Sequence, residues 1–565
     1  MKQWRLLPPD REKQQRLSRE AGVSQGLAQI LIHRGCDSAE KISAFLTPNL
    51  SHLPNPFSLP DMKESVERLL RAIDAKEKIA AYGDYDVDGI TGTALFVLFF
   101  RELGIPVIPY IPQRQEGYGL HNKAIETLQK QGVRLIVTVD CGTKSEEPIA
   151  FARSIGMEVI VTDHHDVGDA KTALPFLINP KRMGENQKGS ELAGVGVVFF
   201  LLLALRNRLR ELGRLPTPEP NLKRHLDLVA LGTVADMAPL TEVNRTLVHF
   251  GLKELALTQK LGLQALKILS GVKEGQAKPS DIGFRLGPRL NAGGRIAQPQ
   301  LGLELLLTED PARASSLAKI LNQCNEDRQS LQEKQLDQAK RQIDPAGTSL
   351  GLVVDSPHWH PGLLGLIAGK LAEQYYRPVV ALCHEGDKVK GSARSIPQIH
   401  IVQILEACGE LLLQYGGHEG AAGLTLTLAN LPRFRHRFEE VLKKELGDTP
   451  PSPFLKIDLE MGLSEITPNF VSELETLRPF GIGNPEPVIA IRNIAFQDPR
   501  SVGQNHLKLK ISDDTTCLDA IAFGMAQNLT APARGDVAGV PEWNTYKEST
   551  RIQLVVRDFK MAQSS

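Results

Sequence analysis

The sequence is poor in cysteine, and its six cysteines are scattered with no CxxC pair. That argues against a disulfide framework or a zinc site, and a reducing, cytoplasmic setting is the expectation. Net charge is also missing: 66 Lys and Arg balance 66 Asp and Glu. A nucleic-acid partner is therefore not advertised by bulk charge, and any basic surface must be local. No hydrophobic run is long enough for a bilayer. Residues 192–205 form the longest, bounded by Glu191 and Arg206, and read as a buried helix, so no membrane is expected. The N-terminal Met1-Lys2-Gln3-Trp4-Arg5 lacks the apolar core of a signal peptide. Repeats and low-complexity segments are absent. At 565 residues the chain exceeds one core, and two to four domains are expected.

Against these absences stands Gly83-Asp84-Tyr85-Asp86-Val87-Asp88-Gly89, between a short apolar run at 79–82 and a helix-like run from 93. Three carboxylates at alternate positions read as a strand tip. Clustered carboxylates repel unless a cation lies between them, and oxygen ligands suit Mg²⁺, Mn²⁺ or Ca²⁺. A solvated acidic turn is the ordinary alternative. An EF-hand loop is excluded, because Gly89 is not followed by the required ligands and closing Glu.

From 78 to 165 short apolar strands alternate with helical runs, the mark of a parallel sheet. Strands are predicted over 79–82, 106–111, 135–139 and 158–162. The first ends in Asp84, Asp86 and Asp88, the third in Asp140-Cys141-Gly142, the fourth in Asp163-His164-His165. Open parallel sheets bind ligands beyond the carboxyl ends of their strands. A lone Asp after a strand is ordinarily a helix cap, but three such ends delivering acids and imidazoles to one edge are not explained that way. Asp236, after the apolar helix predicted at 222–232, is a further candidate. Carboxylates with imidazole and no thiolate suit a hard or borderline divalent ion. Enough ligands exist for two ions sharing an Asp, a usual arrangement for hydrolysing phosphate esters.

The stretches Gly83 to Gly89, Val139-Asp140-Cys141-Gly142, Asp163-His164-His165 and Gly232-Thr233-Val234-Ala235-Asp236 resemble, in order, four motifs of the DHH phosphoesterase superfamily. Within it the chain is most similar to the bacterial RecJ single-strand-specific DNA exonucleases. Trp359-His360-Pro361-Gly362, Gly391-Ser392-Ala393-Arg394-Ser395 and Gly416-Gly417-His418 through Gly423 resemble the DHH-associated domain (DHHA1). Arg478-Pro479-Phe480-Gly481-Ile482-Gly483-Asn484-Pro485 resembles the approach to a C-terminal OB fold. The resemblance implies two Mn²⁺ or Mg²⁺ ions held by Asp86, Asp88, Asp140, His164 and Asp236, with Asp140 bridging. Asp84 is either a ligand or a partner of ligands. His165 contacts the scissile phosphate or its leaving group, or else orients the loop. With Asp140 and Asp84 it makes the catalytic set. Tyr118, in Glu116-Gly117-Tyr118-Gly119, matches a position near the terminal nucleotide and is either a base platform or a loop anchor.

Further along, 284–295 places Arg285, Arg289 and Arg295 among turn residues, where arginine forks suit phosphate oxygens. A helix predicted at about 311–343 is polar on most sides and bridges two domains. Ser392 and Arg394 form an anion clamp that would read a 5′ end, completed by Arg289 or Arg295. Gly417 lets a backbone approach a ligand beside His418. Leu507-Lys508-Leu509-Lys510-Ile511 alternates as a strand with one basic face, fitting a barrel that tracks a phosphate backbone.

The expected fold is α/β. It comprises an N-terminal helical segment packed on the core (1–75), a parallel-sheet DHH domain (76–302) and a connecting helix (303–345). A smaller α/β DHH-associated domain (346–450) and a C-terminal β domain of OB type (455–565) follow. The expected function, carried by the resemblance, is metal-dependent 5′-to-3′ exonucleolysis of single-stranded DNA to mononucleotides in DNA repair and recombination. The partners it implies are single-stranded DNA, a single-strand-binding protein and a RecQ-type helicase, with the protein acting as a monomer. Two other readings compete. A DHH phosphodiesterase on oligoribonucleotides or cyclic dinucleotides would not need the extra β domain. A non-catalytic single-strand-binding scaffold should have lost ligands, and none is missing.

Overall fold

The computed structural model describes residues 2–168, 174–184, 187–344, 347–503, 505–526, 533–546 and 549–562. Position 345, the expected end of the connecting segment, lies outside them.

The first sheet is parallel and five-stranded. Its order is Val107–Tyr110, Lys78–Gly83, Val133–Val139, Glu158–Thr162, Leu177–Ile178. Its strands are apolar on both faces because both are covered. Ile79, Ala81 and Val137 pack with the helices Val87–Glu102 and Gly194–Glu211. Ala80, Tyr82 and Ile136 face Leu128 and Ile149 on the other side. The first strand in sequence sits between the second and third, so strand order reverses beside it.

The connecting helix runs Pro311–Lys340, with Asp310 accepting the Ala312 N–H (2.9 Å) and proline at its first turn. Its apolar residues lie at the two ends. Leu317 and Leu321 join the first core, while Leu336 and Ala339 join the core of the second sheet. That sheet is mixed, in the order Leu412–His418, Ala421–Thr427, Lys388–Arg394, Val379–Glu385, Leu352–Ser356.

The last sheet closes on itself. Ile489–Val502, His506–Ser512, Cys517–Ala522, Ser549–Met561 and Ala533–Tyr546 follow one another, and the last pairs back to the first. Leu507, Leu509 and Ile511 point into this barrel and Lys508 and Lys510 out of it, as the alternation predicts. Among the described residues no helix is long and apolar enough to cross a membrane.

Two sequence expectations change. The N-terminal segment does not pack as one unit. Gln3–Leu6 is a strand, parallel to Phe454–Ile457. Helices Arg11–Ala21, Gln25–His33 and Ala39–Leu46 bury Leu17, Ile30 and Ile42 in the same core as Phe470 and Phe496 of the barrel region. Met62–Asp74, with Leu59 and the partly buried Leu50, Leu53 and Phe57 before it, packs on the first sheet's core. Amphipathic stripes specify that a helix is covered, not by what.

The arginine stretch at 284–295 is not a loop. It lies within a continuous helical run, Pro279–Asp281, Ile282–Leu286 and Gly287–Ile296. Its glycines serve close packing, since a Cβ on Gly294 would sit 2.6 Å from the Tyr85 carbonyl. Gly→Ala inside a helix ordinarily stabilises by about 1 kcal/mol. Gly294→Ala is expected to reverse that sign and destabilise by about 1–3 kcal/mol through overpacking. A denaturant midpoint equal to or above wild type contradicts this packing role.

Candidate metal centre and strand cleft

The acidic groups gather where strand order reverses, the place in an open α/β sheet where neighbouring connections diverge and leave a crevice. Each relevant strand is extended by one backbone bond into its motif. The N–H of Asp84 donates to Val139 O (3.1 Å), that of Asp140 to Thr162 O (3.0 Å) and that of Asp163 to Ile178 O (3.1 Å). Asp86 caps the next helix, accepting from the N–H groups of Asp88 (2.9 Å) and Gly89 (3.2 Å). Asp88, 1% exposed, accepts the N–H of Gly194 (2.6 Å) and of Val195 (2.9 Å). Gly194 is required there, because a Cβ would lie 2.6 Å from that of Asp140. Asp140 holds a left-handed backbone (φ 60°), a conformation Asp tolerates better than most residues.

The ligand atoms form three overlapping groups: Asp84, Asp86 and Asp140; Asp88, His164 and Asp236; Asp140, His164 and His165. His164 Nε2 lies 3.1 Å from Asp140, 3.6 Å from Asp236 and 3.8 Å from Asp88. It is buried without a hydrogen-bond partner, as are one oxygen each of Asp84 and Asp140. Burial, then the like charges of neighbouring carboxylates, pushes Asp84, Asp88, Asp140 and Asp236 well above the usual carboxylate range. Burial, then the adjacent His165, lowers His164 to about 4 and keeps it neutral. With its proton on Nδ1, the neutral imidazole offers Nε2 as one more acceptor among the carboxylates. A divalent cation satisfies all of them at once.

Asp163 plays another part. It accepts from the N–H groups of Thr143 (2.9 Å), His164 (2.8 Å) and His165 (3.2 Å), and lies 2.8 Å from His165 Nδ1. Burial works against charge on His165, but the Asp163 bond and surrounding carboxylates hold it at about 9. Tyr118 donates its hydroxyl to the Asp140 carbonyl (3.1 Å), and that oxygen lies 2.9 Å from His165 Nδ1. Both engage the same nitrogen, so His165 Nε2 is not taken up by either of these two partners. Tyr118 is thus anchored by its hydroxyl while its ring stays half exposed.

The second sheet closes the cleft. Arg295 donates to Gly362 O across it (3.0 Å). Burial, then the charges of Arg114 and Arg328, lowers Arg295 to about 10, and Arg394 acts on it as well. Among the described residues none of these four guanidinium groups has a carboxylate at ion-pair distance. Arg114 lies over the Tyr85 ring (4.4 Å) and Arg328 donates to Asn325 and Gln332. Arg394 donates to Ser392 Oγ (3.1 Å), and burial lowers its pKa. His418 is lowered by burial and then by the charges of Arg394 and His165, one from each side of the cleft.

The other candidates stand differently. Arg289 bonds to Asn322 on the connecting helix and to Arg285 O, whereas Arg295 is the one on which the charge of Arg394 acts. Gly417 is explained by its neighbouring strand, since a Cβ would lie 2.3 Å from Ala421 O. Sequence reasoning missed Asp163 as an orienting group and assigned no role to Arg114 or Arg328. Asp163 carried a signal in its motif, whereas the two arginines are isolated in sequence.

Three family models match the chain: the DHH family N-terminal domain at 78–233, the DHHA1 domain at 349–444 and the RecJ OB domain at 457–558. The Bacillus subtilis single-stranded-DNA-specific exonuclease RecJ is 35% identical, over 99% of this chain and 71% of that protein. The crystal structure of Thermus thermophilus RecJ in complex with Mn²⁺ matches at a TM-score of 0.85 and 30% identity, covering all of this chain and 80% of that one. The Mg²⁺ complex of the same protein matches at 0.79 and 30% identity, covering all of this chain and 79% of that one.

Proposed function

The chain belongs to the RecJ family of single-stranded-DNA-specific exonucleases, and from that premise we infer how its cleft hydrolyses a strand from the 5′ end. It is a metal-dependent exonuclease of single-stranded DNA. The observation that carries the reading is the set of buried, partnerless acceptors of Asp84, Asp140 and His164 facing one another. Asp86, Asp88, Asp140, His164 and Asp236 would hold two Mn²⁺ or Mg²⁺ ions, Asp140 shared between them, with Asp84 beside Asp86 and Asp140. When bound, such ions activate water and offset charge on the reacting phosphate.

His165, kept protonated by Asp163 and aimed by Tyr118, presents Nε2 to a phosphate oxygen or gives its proton to the leaving oxygen. Ser392 and Arg394, with Arg295, offer a hydroxyl and guanidinium forks to a terminal phosphate dianion. That gives the cleft an end stop, and with it release of mononucleotides. Tyr118, His418 and Gly417 line the same passage, which is closed by the Arg295 bridge to Gly362 and suits one strand better than a duplex.

The division of labour follows the domains proposed from sequence: chemistry in 76–302 with the wall at 346–450, and grip in 455–565. A role in DNA repair and recombination, cytoplasmic action as a monomer, and partnership with a single-strand-binding protein and a RecQ-type helicase belong to this same proposal, as what the resemblance implies.

The test is one assay with Mn²⁺ on single-stranded DNA, duplex and RNA oligomers labelled at either end. Label at the 5′ end is expected to leave first, as mononucleotide, from single-stranded DNA only, and EDTA to stop it. First release from the 3′ end overturns the polarity. Preference for short RNA favours an oligoribonucleotide phosphodiesterase instead. Grip is tested separately: Lys508→Ala and Lys510→Ala should each flatten the log–log salt dependence of binding by about 0.7 on single strands. An unchanged slope removes that face from the DNA path.

A further inference from the structure

One motif has no part in the chemistry above. The loop Arg478 to Pro485 leads into the barrel, yet it lies against the stretch that follows Asp236. The Leu240 N–H donates to Ile482 O (2.6 Å). A Cβ on Gly481 would lie 2.7 Å from Leu240 Cδ1, and one on Gly483 would lie 2.9 Å from Thr241 Cγ2 and 3.2 Å from Pro239 Cβ. These two glycines let the loop sit flush on Pro239, Leu240 and Thr241. The loop keeps its own shape: Gly481 and Asn484 exchange backbone bonds (2.9 and 3.1 Å), and Asn484 Nδ2 donates to Leu477 O and Pro479 O (2.8 Å each). Arg245 ties the same region down from the first domain, donating to Thr476 O (3.2 Å) and Arg478 O (2.8 Å) while lying over the Phe45 ring (4.1 Å).

On its other side the stretch is tied to the acidic cluster. Buried Asn244 donates from Nδ2 to Pro239 O (3.0 Å) and to Glu191 O (2.5 Å). Three residues after Glu191, Gly194 donates to Asp88. Asp236 itself sits at a helix end, followed by Met237 in left-handed backbone (φ 63°). Its backbone is fixed by the helix before it and by Pro239 to Thr241 after it, and that second anchor is the part the barrel loop touches.

We propose that the loop Arg478 to Pro485 is a brace that positions the Asp236 carboxylate, so that metal binding depends on docking of the barrel domain as well as on the residues of the first sheet. This rests on Asp236 being a ligand. Gly481, Gly483 and Asn244 are positioning residues in this scheme; none touches substrate. Ordinary interdomain packing would explain the same contacts by stability alone, and the two accounts differ in what a small displacement of the loop does to the metal.

The test uses the full chain, with Mn²⁺ alone titrated into wild type, Gly481→Ala, Gly483→Ala and Asp236→Ala well below their melting temperatures. Single-strand affinity is measured in parallel in EDTA. Both glycine variants are expected to bind at least one Mn²⁺ about 10- to 100-fold more weakly, the usual loss when a ligand's support is disturbed. Their affinity for DNA in EDTA should be unchanged, and excess Mn²⁺ should restore kcat. Adding Leu240→Val to Gly481→Ala removes the methyl that the new Cβ meets, and should recover both folding and Mn²⁺ affinity. If the glycine variants bind Mn²⁺ like wild type while Asp236→Ala loses an ion, the brace is wrong and the ligand assignment stands. If Asp236→Ala also binds like wild type, the ligand assignment fails and the brace fails with it. If Gly481→Ala does not fold, Gly483→Ala and the Leu240→Val pair decide by the same readout.

Discussion

Asp140→Ala abolishes hydrolysis while the chain stays folded. Asp140 is 1% exposed and belongs to two of the three ligand groups, so its loss leaves neither ion properly held. The cost to kcat/KM is expected to be at least on the order of a thousandfold, the upper size associated with removing one group that stabilises developing charge, because the ions themselves are lost with it. Stability should move little. Asp140 is pushed up by burial and by Asp88, Asp86, Asp236 and Asp84, so deleting it relieves repulsion. Against that stands the left-handed backbone at φ 60°, which costs alanine about 1–2 kcal/mol. Asp140→Asn keeps the backbone preference and separates the two effects. Mn²⁺ should raise the melting temperature of wild type by mass action, and much less that of either variant. Wild-type turnover with Mn²⁺ in Asp140→Ala would sink the shared-ligand assignment.

Arg394→Ala should act on one substrate and spare another. Its guanidinium lies beside Ser392 Oγ and near the charge of Arg295, with no carboxylate to neutralise it. A hydrogen bond to a charged group is worth about 1.5–3 kcal/mol, a factor of roughly ten to a hundred. The kcat/KM ratio of 5′-phosphorylated to 5′-hydroxyl strands should therefore fall by that factor, with the hydroxyl substrate little affected. If the ratio is unchanged, Arg394 does not read the terminal phosphate, and Arg114 or Arg295 becomes the next residue to test.

What could be read from sequence was what is local. The acidic run at 84–88 and Asp140 follow apolar strands directly, and their placement at one sheet edge needs only the alternation of strands and helices. Asp163-His164-His165 is equally local, although the orienting role of Asp163 appears only once its four contacts are seen. Asp236 was harder, because it ends a helix, not a strand, and reaches His164 through the packing of that helix. The arginine cluster was legible only in part: Arg394 with Arg289 or Arg295 was expected, whereas Arg114 and Arg328 come from two further elements and join them only in the fold. The glycines of 284–295 misled for a definite reason. Glycine permits both a turn and a close approach of helix to backbone, and here Gly294 serves the second against Tyr85. The barrel's hold on the N-terminal helices is likewise a long-range pairing that no stripe of apolar residues announces.

The most direct measurement of the central claim is the number of Mn²⁺ ions bound per chain at saturation without DNA, in wild type and in Asp140→Asn. The carboxylate and imidazole cluster at the sheet's switch point predicts two ions in wild type and the loss of at least one in the variant. A wild-type chain that binds no Mn²⁺, or a variant that binds the same number with the same affinity, contradicts it.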